Sequence, residues 1–237
     1  MNKFITLTTT IATLAFSNIL AAPVNITVYD ELPPMNEGVG VGYEDQEIDA
    51  GYFEQRQDLE AIFWDGYSLS IVAGFDFKDG FYYQQFGGED AIHNHIVSGD
   101  VFIDLGRNNS YDLVIDFDVE GLTYTVYEYS DANVVDVFSG WNHDFANPLE
   151  INGGVQVGTG VLEYNNYDTD VYGLNGGYHN EVIFTGLAAH GITGNFGVHY
   201  TISCGNDVIL GSVPEPAILT LLGLGIFGVA FFRRKRS

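Results

Sequence analysis

The sequence predicts an all-β protein: a single β-sandwich or jelly-roll-like domain set between an N-terminal signal peptide and a C-terminal transmembrane helix. Three observations lead there. Apolar residues alternate with polar ones in short runs, and no stretch of the body sustains a helical period. The 237 residues include 15 Tyr, 17 Phe and 29 Gly, a mixture of strand-favouring side chains and turn formers. Roughly ten such runs are separated by Gly- and Asn-rich connections, the pattern of sandwiches and jelly rolls.

From the start of the chain, Met1 to Ala21 has the form of a secretory signal peptide, with Lys3, an apolar run broken by threonines, and small residues at its end. Signal peptidase is expected to cut after Ala21, since a cut after Ala22 would leave Pro23 immediately downstream. Residues 22–212 then read as one domain without internal repeats. Glu31 to Glu60 is acidic and expected to be mostly loop, with Asp58 to Trp64 either a helical turn or the lead into a strand. Asp112 to Tyr129 is the clearest hairpin. With Glu120-Gly121 as a two-residue turn, Val119 faces Leu122, Phe117 faces Tyr124 and Ile115 faces Val126 on a core face, while Asp118 meets Thr123 and Asp116 meets Thr125 on a wet one. A second hairpin is expected over Leu69 to Phe86, turning at Asp79-Gly80, with Ile71, Ala73, Phe75 and Phe77 on one side. Further strands are expected at Val24–Tyr29, Asp100–Leu105, Val134–Phe138, Val155–Tyr164, Glu181–Phe184 and Phe196–Ser203.

The last segment, 213–237, has three parts. Pro214, Glu215 and Pro216 precede an uncharged span from Ala217 to Phe232, and Arg233, Arg234, Lys235 and Arg236 follow it. As a helix the span would be about 24 Å long against about 30 Å of bilayer hydrocarbon, a shortfall that Lys and Arg stems can cover. Four cations hold that end in the cytoplasm. A plain membrane anchor needs the same span and the same cations. A buried core helix does not end in four consecutive cations.

The order and spacing of these parts resemble the PEP-CTERM sorting signal, in which an exosortase recognises the tail in the inner membrane and the protein is released or attached at the surface. The same tail is also labelled an ice-binding-protein C-terminal region, a label that describes the tail alone. The resemblance implies an exosortase-like membrane protease as partner, a precursor anchored in the inner membrane, and a destination at the cell surface or in the extracellular matrix. The runs Gly99–Asp104, Tyr111–Phe117, Tyr124–Tyr127 and His199–Asp207 are similar to the passenger domain of some exosortase-dependent surface proteins, which implies a β-rich exported domain and supplies no catalytic residues.

Charge narrows the partners. The chain holds 8 Lys+Arg against 32 Asp+Glu. Without signal and tail, the bases left are Arg56, Lys78 and Arg107 and the only acid lost is Glu215, so the body carries 31 acids and 3 bases, a formal −28. Nucleic acid and anionic lipid, both polyanions, are excluded as partners of such a body. Salt or divalent cations are expected to relieve its self-repulsion. Cys204 is alone, so no intramolecular disulfide can form.

The residues that could carry chemistry form no known catalytic motif. His93-Asn94-His95 could hold a metal if its two imidazoles shared a strand face with an acid, and otherwise lies in a polar loop. His143-Asp144, His179 and His190 read as scattered loop residues. Alternation puts Phe196, Val198, Tyr200, Ile202 and Cys204 on one face and His199, Thr201 and Ser203 on the other, so Cys204 reads as a small buried hydrophobe rather than a nucleophile. Acid pairs such as Asp116/Asp118, Asp168/Asp170, Asp76/Asp79 and Glu44-Asp45 with Glu47 and Asp49 are too common here to mark a glycosidase. A calcium loop starting at Asp104 fails because Gly106 takes its third position, while irregular calcium sites between loops stay open. Gly38–Gly42 lacks dinucleotide spacing. Thr123 and Thr125 make a single outward pair, too little for an ice-binding face. The expectation is a surface or matrix protein with a structural or adhesive role, no catalytic residues and no cofactor. A carbohydrate-binding module is the alternative, if Trp64, Trp141, Tyr82 and Tyr83 line one groove. Extracellular polysaccharide would then be the partner. A secreted hydrolase is the other alternative, if two carboxylates or a His and an Asp converge.

Overall fold

Alternating sequence becomes strand almost wherever it occurs. The computed structural model describes residues 22–31, 55–82, 95–135, 150–174, 177–203 and 208–213. Its strands, in chain order, are β1 (Val24–Asn25), β2 (Thr27–Glu31), β3 (Leu59–Trp64), β4 (Leu69–Ala73), β5 (Phe81–Tyr82), β6 (His95–Ile96), β7 (Val101–Asp104), β8 (Leu113–Asp118), β9 (Thr123–Glu128), β10 (Val134–Val135), β11 (Glu150–Ile151), β12 (Gln156–Tyr167), β13 (His179–Phe184), β14 (Phe196–Thr201) and β15 (Val208–Val213). Short 3-10 turns at Gln55–Gln57, Asp131–Asn133 and Leu187–His190 are the helical elements among the described residues, and none is long and apolar enough to cross a membrane. The expected span at 217–232 and the signal peptide lie outside the described residues.

Eleven strands form one antiparallel sheet in the order β1-β3-β4-β13-β12-β9-β8-β7-β14-β15-β2. Its two ends belong to one continuous segment. β1 pairs with β3 and β2 with β15, and Ile26 between them donates its N–H to Ile62 O while its carbonyl accepts the N–H of Ser212, both at 2.8 Å. The sheet therefore nearly closes on itself. The second corner is β12, whose residues 156–161 pair with β9 and 162–167 with β13. The expected sandwich is thus one bent sheet folded over a core, with corner strands shared by its two halves. Its all-β class stands as expected.

Between the halves lie Ile71, Ile115, Val126, Val182, Phe184, Tyr200 and their neighbours. The β8–β9 hairpin keeps the expected register, with Ile115 opposite Val126, Asp116 opposite Thr125, Phe117 opposite Tyr124 and Asp118 opposite Thr123. The turn is longer than expected. Residues 119–122 form a loop closed by Asp118 Oδ1 accepting the N–H of Gly121 at 3.0 Å, with Leu122 in the left-handed region at φ 52°. Val119 is consequently buried while Leu122 points outward. Beside this hairpin, Gly160 of β12 lets the Tyr124 ring lie directly against the chain, because a Cβ there would sit 2.1 Å from the ring.

The second expected hairpin is corrected. β4 pairs with β3, not with the residues after Asp79-Gly80. Asp65 Oδ1 accepts the N–H of Tyr67 and of Ser68, which closes the β3–β4 turn at Gly66. Asp76 Oδ1 accepts those of Lys78 and Asp79, so both Asp-Gly sites are true turns. The second leads out of the large sheet into the small β5–β6 ladder. Phe75 and Phe77 still enter the core, which preserved the alternation that suggested a strand.

Two satellite clusters cover the outside of the sheet. The loop 168–178, of which 168–174 and 177–178 are described, folds over β3 and β4, burying Leu174 with Ala61, Phe63 and Val72, and its Tyr172 hydroxyl reaches Glu181 of β13. β10 and β11 lie over β7 and β8, where Ile151 packs with Phe102 and Val114.

Candidate functional site

The most concentrated polar chemistry lies beneath the loop 168–178. Alternation along β13 turns Val182 and Phe184 inward and His179 and Glu181 outward. A bulge between Leu59 and Ala61 brings Glu60 of β3 to the same outer face. There the His179 Nδ1 N–H donates to the Glu60 carboxylate, at 2.8 and 2.7 Å from its two oxygens. Both side chains are fully buried. Gln55 Nε2 bridges Glu60 Oε1 at 2.6 Å and the carbonyl of Tyr178 at 3.0 Å, tying the loop's end to the couple. Glu181 Oε2 accepts from the hydroxyl of Tyr167 at 2.8 Å and, at 3.4 Å, from Tyr172 and Asn165. Burial lowers the pKa of His179, against an opposing pull from Asp170.

A carboxylate that fixes an imidazole's tautomer is the arrangement of a general base or a metal ligand. Here His179 Nε2 and Glu181 Oε1 are buried without hydrogen-bond partners. Yet the imidazole is sealed under the loop, and among the described residues no three His, Cys, Asp or Glu side chains are placed to hold a metal ion. The couple joins β3 to β13 across β4 on the outer face of the sheet.

A second polar group anchors β11. Asp100 is 6 % exposed and accepts the N–H of Ile151 at 2.7 Å. Its carboxyl is pushed up to about 8, chiefly by burial, with Asp116 and Glu150 adding repulsion against the lowering effect of the Ile151 N–H. Between the ordinary carboxylate value of 3.8 and about 8 the folded chain holds a proton here that the unfolded chain has lost. Stability should therefore fall as pH rises through that window. Urea midpoints at pH 5 and pH 9 should show this slope. Asp100→Asn, which keeps an acceptor for Ile151, should flatten it, and equal slopes in the two proteins would rule Asp100 out as the cause.

The other sequence-predicted residues are dispersed. His95 is exposed, stacked on Tyr82 at 4.4 Å, with Nε2 2.8 Å from Asp79 O. His93 and Asn94 lie outside the described residues, as do His143, Asp144, Cys204, Trp141, Tyr83, Gly38–Gly42, Glu44, Asp45, Glu47 and Asp49. His179 is corrected from loop residue to buried strand residue. His190 lies in a 3-10 turn with its ring edge-on to Tyr124. His199 is buried against Phe102 and Tyr111, which holds its pKa down to about 4. Trp64 is a core residue packed on Phe196, so it is removed from any carbohydrate platform. Asp104 accepts the N–H groups of Gly106, Asn108 and Asn109, which uses its carboxylate to cap a loop. Asp116 and Asp118 face outward side by side, and Asp168 and Asp170 are exposed. Asp76 accepts from Tyr164 at 2.8 Å. Ala22 is the first described residue. Ala21, Pro214, Glu215, Pro216, Arg233, Arg234, Lys235 and Arg236 lie outside. Glu60, Glu181 and Asp100 were not singled out by sequence reasoning. The signal was a lone acid inside an apolar strand, as in Leu59-Glu60-Ala61 and Asn180-Glu181-Val182.

Comparison with known proteins places the informative match at the end of the chain. Residues 212–236 match the PEP-CTERM protein-sorting motif. A signal of this class implies export to the cell surface through a membrane-anchored precursor. In particular, the chain carries a PEP-CTERM sorting signal, which implies processing by an exosortase membrane protein. No curated protein and no solved structure matches the chain.

Proposed function

We propose that the chain is a structural or adhesive protein of the cell envelope or extracellular matrix, cut by signal peptidase after Ala21 and delivered by exosortase-type sorting, with extracellular polysaccharide as its surroundings. The observation that carries this reading is the direct junction of fold and signal. The motif begins at residue 212 and β15 ends at Val213. Only Pro214, Glu215 and Pro216 separate that strand from the apolar span at Ala217, at most about 10 Å of extended chain. The bond from Ser212 N–H to Ile26 O brings the start and end of the body to one corner. Both membrane-directed segments therefore join the body at one corner. No metal or cofactor enters this reading, and it assigns no catalytic residue.

The prolines remove backbone donors and keep the segment before the span extended, where a protease can grip it. Replacing Pro214, Glu215 and Pro216 with Ala-Gln-Ala should block release and leave membrane insertion intact. The check is the mass of the C-terminal peptide from surface-extracted protein. Wild-type protein should end near Pro214–Pro216, and an intact Arg233–Arg236 tail on wild-type surface protein would refute processing and leave a simple anchored domain.

A further inference from the structure

The fold gathers uncharged sequence into one place. Residues 151–162 and 182–206 contain no Asp, Glu, Lys or Arg, although the chain has 40 such residues in all. The two stretches meet at the β12 corner, where the Thr185 hydroxyl donates to Val161 O at 3.0 Å and Gly158 lies against the His190 ring. On the outer surface there, Val155, Val157 and Val161 are 62 %, 41 % and 61 % exposed. Thr159 and Thr123 beside them are exposed as well.

The backbone at this corner is also incompletely paired. β12 pairs with β9 over residues 156–161, but β13 pairs with it only from Leu162 onward. Among the described residues, 156–160 thus present one strand edge without a strand partner. Such edges are normally guarded by charge, proline or a covering element, because they template pairing with another chain. The other half of β12 carries Glu163 and runs into Asp168. This half has no charged residue in a body that is otherwise strongly anionic.

We infer that the Gln156–Val161 edge is a homotypic interface, at which a second copy of this chain adds its own Gln156–Val161 in antiparallel register. The argument for a second copy is electrostatic. Two bodies of formal charge −28 repel over most of their surfaces, and they approach at least cost where both are neutral. A twofold axis is satisfied by pairing this edge with itself, Thr159 falling beside Thr159 of the partner subunit. Anchoring in one membrane raises the local concentration of copies. The inference rests on the reading of the chain as a structural surface protein and adds how it assembles.

The test is cross-linking of the full chain on cells, with Cys204→Ser as background. Thr159→Cys should yield a cross-linked product of twice the chain's mass, at least about tenfold more than Ser110→Cys in an exposed loop of β7–β8, and more at higher salt. Adding Val161→Asp restores a negative charge to each end of the paired edge and should reduce the product at least about tenfold. Gln156→Asp replaces it where Val161→Asp lowers the amount of surface protein. Equal cross-linking at Thr159 and Ser110, or a product whose mass is not twice that of the chain, overturns the interface. The C-terminal peptide mass reports on sorting separately, so either idea can fail alone.

Discussion

Phe117→Asp is expected to remove a large part of the body's stability, whereas Asp116→Val leaves it standing. The two residues are neighbours on β8 and differ in the face they occupy. Phe117 points inward, its ring 5.2 Å from that of Phe184 in an edge-on contact and 6.4 Å from Tyr200. Truncating a fully buried Phe costs about 3–5 kcal/mol; Phe117 is half-buried against the core, so its own loss is smaller, and a carboxylate in its place adds the cost of desolvating a charge. Together these come to several kcal/mol, a large part of an ordinary domain's stability of about 5–15 kcal/mol. Asp116 points outward and its pKa is raised by burial and by Asp118. Removing it relieves repulsion on Asp100 and Glu150. It also guards no edge, because β8 lies between β7 and β9 inside the sheet. Asp116→Val should therefore change the urea midpoint little and leave the protein no more prone to aggregate through strand pairing. Comparable loss of stability in the two variants would mean that the β8–β9 register is wrong.

That register was legible because one face of the hairpin is wet. Alternation over Leu113–Asp118 and Thr123–Glu128 admits one alignment that keeps polar with polar, and a one-residue slip would have reversed it. Legibility failed where both faces are buried. All six residues of β3 are buried and all five of β4, so period-two contrast is weak there, and turn chemistry alone had to choose between Asp65-Gly66 and Asp79-Gly80. The burial comes from the loop that carries Leu174, a cover contributed by distant sequence. The near-closure of the sheet depends on the division of one segment between β1 and β2 about Ile26, a change of partner without a composition signal. Site residues were hidden for a related reason. In a body with 31 acids, Glu60 and Glu181 differ from the others only in burial, and burial under a loop is not written in local pattern.

Breaking the Glu60–His179 couple from one side is expected to be the costliest polar substitution in the body. His179→Leu leaves the Glu60 carboxylate fully buried with the donor from Gln55 but without the imidazole N–H at 2.7–2.8 Å. Removing one member of such a buried pair costs about 3–5 kcal/mol, much of it the desolvation of the partner left behind. Replacing both members by apolar residues of similar volume removes the buried charge as well, so Glu60→Met with His179→Leu should recover most of the loss. A double-mutant cycle on urea midpoints measures the coupling. The loop gives an independent readout. It is held by Tyr172, whose ring lies 4.9 Å from that of Phe63, by Leu174 in its small apolar cluster, and by Gln55 on the Tyr178 carbonyl. His179→Leu loosens the Glu60–Gln55 end of this arrangement, so limited proteolysis within residues 168–178 should become faster in the single variant before global unfolding. Additive single effects, with proteolysis unchanged, would show that the couple does not hold the loop and would return Glu60 and His179 to the candidates for binding chemistry.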